Sequence, residues 1–121
     1  MNEIVTPETA PHYVWGMNCQ SWVFVDSEGL SVKRERMPAG ASEVVHFHQT
    51  AQQFFYLLRG TATMVVGKGD YSIREGQGLL VPAKTTHCIS NNTSAEIEFL
   101  VVSQPTTNND RVNVEEASAT R

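Results

Sequence analysis

Glycine, proline and asparagine interrupt this chain at such close intervals that no run of more than ten residues carries a capped helical period. What remains between the interruptions is short, β-branched and aromatic, which is the rhythm of an all-β protein. The expected strands are Ser21 to Asp26, Leu30 to Met37, Glu43 to His48, Gln53 to Leu58, Thr61 to Val66, Tyr71 to Arg74, Leu79 to Val81, His87 to Ser90 and Ala95 to Val102. Gly67-Lys68-Gly69-Asp70 between two of them reads as a hairpin, because glycine accepts the positive φ that tight turns require. Links this short favour antiparallel neighbours, and closing the sheet into a barrel removes exposed edges.

With 121 residues, 40% of them hydrophobic and 18% charged, the chain is expected to form one folded domain. Residues 1–20 are expected to be an N-terminal arm, 21–103 the barrel and 104–121 a polar tail, packed on the surface or on a second subunit, or loose. The net charge of −4 has no basic stripe within it, which argues against nucleic acid. Apolar runs of a few residues are too short for a membrane helix. Met1 to Pro11 carries Glu3 and Glu8 without an apolar core, so no secretory signal is expected there. Cys19 and Cys88 form no CxxC pair, and two free thiols suit a cytoplasmic protein.

His46 and His48 are the first residues that point to chemistry. Two apart on a strand, they share a face and reach one ion. Gln53 follows a short loop at the start of the next apolar strand, and His87 opens another strand after Pro82. Three imidazoles and one oxygen suit a first-row divalent metal. The plainer alternative for His46 and His48 is a pair of solvated histidines; for Gln53 it is a hydrogen-bonding residue that leaves a three-histidine site.

These stretches resemble the two signature motifs of the cupin superfamily. Gly40, five residues, His46, one residue, His48, four residues, Gln53, six residues and Gly60 follow the spacing of the first motif. Gly76, five residues, Pro82, Ala83, Lys84, two residues, His87, three residues and Asn91 follow the second. Gln53 stands where that family usually has Glu, and Lys84 where it has Gly. The resemblance implies an antiparallel double-stranded β-helix (a jelly-roll barrel). It also implies one divalent transition metal (Zn, Mn, Fe or Ni) on His46, His48, Gln53 and His87, and pairing of copies into a homodimer. Lys84 reads as a solvated turn residue or as a charged lip on the pocket. A neutral amide in place of a carboxylate leaves the centre at higher positive charge, which weakens retention and strengthens the Lewis acid. An amide also takes no proton as a base does, so a general base has to come from elsewhere.

Strand parity names the expected pocket. If Gln53 points inward, so do Phe55 and Leu57; if His87 does, so does Ile89. Arg34 and Arg36 share a face of the preceding strand. Turned inward they offer a bidentate partner to a carboxylate or phosphate; turned outward they leave Lys33 and Glu35 inside. A mostly apolar wall ending in a metal suits a small organic ligand.

Three functions are compatible with this reading. The first is a metalloenzyme using its ion as a Lewis acid, for isomerase or lyase chemistry on a small acid or sugar derivative. The second is an Fe(II)-dependent dioxygenase, disfavoured mildly because a higher site charge raises the iron potential. The third is a binding protein without turnover.

Overall fold

Side chains on a strand alternate between two faces, and in this chain the alternation separates a filled interior from a charged exterior. The computed structural model describes residues 3–114. Among the described residues there are eleven strands: His12–Trp15 (β1), Cys19–Asp26 (β2), Ser31–Met37 (β3), His46–His48 (β4), Gln52–Arg59 (β5), Thr61–Val66 (β6), Gly69–Arg74 (β7), Gly78–Val81 (β8), His87–Ser90 (β9), Ile97–Gln104 (β10) and Arg111–Asn113 (β11). No helix in the described residues is long and apolar enough to cross a membrane.

The strands form two sheets, all of whose pairs are antiparallel. One has the order β1-β2-β3-β10-β5-β8 and the other β11-β4-β9-β6-β7. This is the double-stranded β-helix expected from the motifs. The Gly67-Lys68 hairpin forms where the sequence places it, with Val66 opposite Gly69 and Gly67 at φ +58°.

Parity in β5 follows the expectation. Gln53, Phe55 and Leu57 are buried, while Phe54 is exposed and Tyr56 and Leu58 are half-buried. The inward row continues across the sheet, since Val101 faces Phe55 and Phe99 faces Leu57 on β10. Leu57, Met64, Ile89, Ile97, Phe99 and Met37 are all fully buried between the sheets. Each such side chain contributes about 1.5–3 kcal/mol by leaving water.

Gly60 needs its lack of a side chain. It sits at φ +83°, and a Cβ there would lie 2.7 Å from the Ile97 Cγ2. Lys84, in the place of the second motif's glycine, keeps the glycine conformation at φ +66°. Its backbone N–H donates to the His48 carbonyl at 2.7 Å, so the turn is tied to the strand that carries two of the histidines.

Two strands lie outside the 21–103 range read from sequence. β1 pairs with β2, and β11 pairs with β4. Both are short and largely exposed, so neither carries the alternating apolar signal that marks the other strands. Residues 115–121, part of the expected polar tail, fall outside the described residues.

Arg34 and Arg36 face outward, which corrects their expected place in the pocket. Both bind Glu98 on the outer face, at 3.3 and 3.2 Å. Arg36 also lies over the Trp22 ring, 5.1 Å from its centroid. The physical reason is register. Arg34 and Arg36 stand opposite Leu100 and Glu98, the outward positions of β10, whereas Lys33 and Glu35 stand opposite inward Val101 and Phe99. Strand β3 is charged on both faces, so polarity gave no hint of which face turns in.

Candidate metal centre

The centre is assembled from both sheets. β4 supplies His46 and His48, β9 supplies His87 opposite His46, and β5 supplies Gln53 from the facing sheet. All four are buried. The three histidines each bring a ring nitrogen within 4.8 Å of the others.

Their backbone contacts aim those nitrogens. His46 Nδ1 donates to the Val44 carbonyl at 2.7 Å, and His87 Nδ1 donates to the Thr85 carbonyl at 2.9 Å. A carbonyl only accepts, so the proton sits on Nδ1 and the Nε2 lone pair is left for the cavity. Burial holds His46 down to about 3, the nearby Val44 carbonyl opposing it. Burial and the His87 ring hold His48 down to about 4, with the Asp110 charge opposing. Burial lowers His87 as well. Neutral imidazoles are the form in which histidine binds a metal.

Gln53 completes the set. Its amide nitrogen donates to the Ser103 Oγ at 3.1 Å, which turns Oε1 toward His87 Nε2, 3.0 Å away. His87 thus stands between two acceptors, the Thr85 carbonyl and the Gln53 oxygen. A neutral imidazole has one N–H and cannot serve both, and burial disfavours the doubly protonated ring. The Gln53 oxygen and His87 Nε2, 3.0 Å apart in a buried place, are at a spacing that two ligands of one cation can take. The donor set of three imidazoles and an amide oxygen fits a first-row divalent ion.

Beside these residues lies a cavity of about 270 Å³ lined by His46, His48, Gln53 and Phe55, with Tyr13, Trp15, Lys33, Glu35, Glu43 and Arg111 around it. Phe55 is where parity predicts it. Leu57 and Ile89, also expected on the wall, lie in the closed core instead. They share the inward row but sit further along it, past the point where facing side chains meet. Parity fixes a face and not a depth.

The acidic residues of the cavity were not singled out from the sequence. Burial pushes the Glu35 carboxyl up to about 6, with the Ser21 hydroxyl and the Lys33 and Arg111 charges opposing. Burial and the Glu35 charge push Glu43 up to about 8, although its Oε1 accepts the Ile89 N–H at 3.1 Å. Glu43 was expected to open the strand that carries His46 and His48, on the face opposite to theirs; that strand begins only at His46, and half-buried Glu43, in the loop before it, reaches the cavity. Lys33 donates to the Tyr13 hydroxyl at 2.9 Å. Arg111 comes from β11, whose pairing with β4 joins residues far apart in sequence.

With the fold and these residues in view, the comparisons agree. Residues 33–103 match the family model described as a cupin domain. The chain belongs to the cupin family. A curated relative, an uncharacterised protein of Methanocaldococcus jannaschii, is 28% identical over 69 residues, which are 57% of this chain and 55% of that protein. The chain thus spans about half the length of that relative. Among solved structures, KdgF from a Halomonas species is similar with a TM-score of 0.81 at 13% identity, over 90% of this chain and 98% of that one. A sugar phosphate isomerase of the cupin superfamily from Silicibacter pomeroyi is similar with a TM-score of 0.73 at 22% identity, over 86% of this chain and 76% of that one. At these identities the likeness to solved structures is one of fold.

Proposed function

We propose that this cupin is a metal-dependent enzyme of the isomerase or lyase type, acting on a small acid or sugar derivative. The observation that carries the reading is the meeting, around one cavity, of His46, His48 and Gln53 with two carboxyls of raised pKa, His87 standing against Gln53 and the other two histidines. A divalent ion held by His46, His48, Gln53 and His87 would supply Lewis-acid polarisation to an oxygen of the bound molecule.

The remaining work falls to the chain's own side chains. Glu43, pushed up to about 8 by burial and the Glu35 charge, is the carboxyl suited to hold and donate a proton. Glu35, raised less by burial, to about 6, is suited to accept one. Two carboxyls whose surroundings push them apart in this way form an acid–base pair. They provide the base that an amide at position 53 does not. Lys33 and Arg111 bring positive charge to the same cavity, which favours a ligand carrying a carboxylate or phosphate. Phe55, Trp15 and Val101 give it an apolar wall. A sugar phosphate isomerase among the proteins of this fold is in keeping with such a substrate.

The test is turnover without oxygen. Protein loaded with Zn, Mn or Ni is incubated anaerobically in D2O with 2-oxo acids, sugar phosphates and unsaturated sugar acids, and proton NMR follows deuterium uptake and product. Isomerised or eliminated product is expected, with deuterium at the carbon that exchanges. Turnover that needs both iron and O2 would replace this reading with the dioxygenase. The proposal keeps the homodimer and the cytoplasmic location expected from the sequence. Sedimentation as a monomer at micromolar concentration would remove the former.

A further inference from the structure

We propose that Asp110 is a positioning residue of the metal centre: it clamps the loop between His48 and Gln53 and sets a carboxylate beside His48. The proposal rests on the metal-centre reading above, but not on any particular reaction.

Its starting point is an asymmetry among the three histidines. His46 and His87 each anchor Nδ1 on a carbonyl two residues earlier. His48 does not. Its Nδ1 is buried and has no hydrogen-bond partner among the described residues. The group facing it is Asp110, whose Oδ2 lies 3.9 Å away and whose side chain is 10% exposed.

Asp110 is itself held firmly. Its Oδ1 accepts the N–H groups of Gln49 and Thr50, both at 3.0 Å, and its Oδ2 accepts that of Ala51 at 2.9 Å. Those three residues follow His48 and lead to Gln53. One carboxylate therefore fixes the short connection between two of the four donors. The next residue, Arg111, pairs with His48 across the β11–β4 ladder, which fixes the clamp against the ligand strand.

Charge gives the arrangement a second consequence. Three imidazoles and an amide add no negative charge to a divalent ion. A ligated imidazole becomes more positive at its distal N–H, and a carboxylate facing that nitrogen stabilises the charge. Asp110 thus returns from outside the donor set part of what a Glu at position 53 would supply from within it.

Zn2+ affinity of the metal-free full chain tests this, read by competition with a chelating dye for wild type, Asp110→Asn and Asp110→Ser. Asp110→Asn keeps one acceptor oxygen and removes the charge, and about 10–100-fold weaker binding is expected, as for other groups behind a metal-bound histidine. The wild-type Zn2+ protein supplies a second readout, which a clamp alone would not move. Nitrogen-15 NMR should show His48 carrying a slowly exchanging Nδ1 proton at low field, and Asp110→Asn should move that resonance upfield. Affinity within twofold of wild type, or a fast-exchanging His48 proton in the wild type, would overturn the role of Asp110 and leave the metal centre standing. Wild type that takes up no Zn2+ would overturn the metal centre itself, and this proposal with it.

Discussion

The two ends of the barrel are built from the same strands and come to opposite results. On β5 the inward row runs Gln53, Phe55, Leu57; on β10 it runs Ser103, Val101, Phe99, Ile97. At one end the row is polar and faces a cavity. At the other it is apolar and closed, with Leu57, Ile97 and Phe99 fully buried. The step from donor to core takes two to four residues along a single strand. Rigidity for the site is therefore supplied by neighbours on its own backbone, and the two ends should fail separately.

The harshest way to break that comparison is Leu57→Ala. A fully buried leucine lost from the closed end should cost about 2–5 kcal/mol of stability, read by chemical denaturation. The folded fraction should still bind one Zn2+ per chain. Loss of metal at unchanged stability would instead return Leu57 to the pocket wall.

The converse change is His48→Ala, which should abolish stoichiometric metal binding and leave the metal-free melting temperature close to that of wild type. Elemental analysis and thermal unfolding check the two halves. Full metal occupancy in this variant would show the donor set to be wrong. Gln53→Glu should act in the other direction, slowing metal loss to a chelator by adding a negative donor. Unchanged retention would move Gln53 out of the donor set.

A smaller effect concerns pH in the metal-free protein. Burial and the Glu35 charge raise the folded Glu43 to about 8 from the ordinary carboxyl value of 4.5, so the folded state holds the extra proton. Its contribution to stability is full below the lower value and is lost as pH rises through the upper one. Glu35 acts the same way up to about 6. His46 and His48, lowered from 6.5, act oppositely, favouring the folded state as pH rises toward 6.5. Between 6.5 and 8 Glu43 is left acting alone among these groups, and the melting temperature should fall across that interval. Glu43→Gln should flatten the fall; a slope that survives the substitution would assign it to another group.

The mildest change is at Lys84. An L-residue at φ +66° carries about 1–2 kcal/mol of strain, partly offset by its stiffer unfolded chain. Lys84→Gly should stabilise by about 0.5–1 kcal/mol without altering metal affinity. A weakened affinity would give the side chain a role at the pocket lip.

How much of this was legible in the sequence follows the same division. That His46, His48 and His87 come together was legible because histidine is rare and its spacing is tied to the turn glycines. Gly60 and the glycine-like turn at Lys84 are where backbone geometry demands them. Parity also placed Phe55. The rest of the cavity was hidden for two reasons. Lys33-Arg34-Glu35-Arg36 alternates charge with charge, so only the pairing with β10 decides which pair turns in. Arg111 opens a three-residue, largely exposed strand and Asp110 sits in the turn before it, and the importance of both lies in contacts with a distant part of the chain.

That distance has a consequence for how the protein is made. Gln49 and Asp110 are separated by 61 positions. A ribosome delivers His46, His48 and Gln53 well before the residues that fasten the loop between them. His87 emerges in the interval, so the donors are all available before the clamp exists. Firm capture of an ion would thus have to wait until Asp110 has been made. A stalled or truncated nascent chain lacking the segment around Asp110 would present the donors while holding metal loosely.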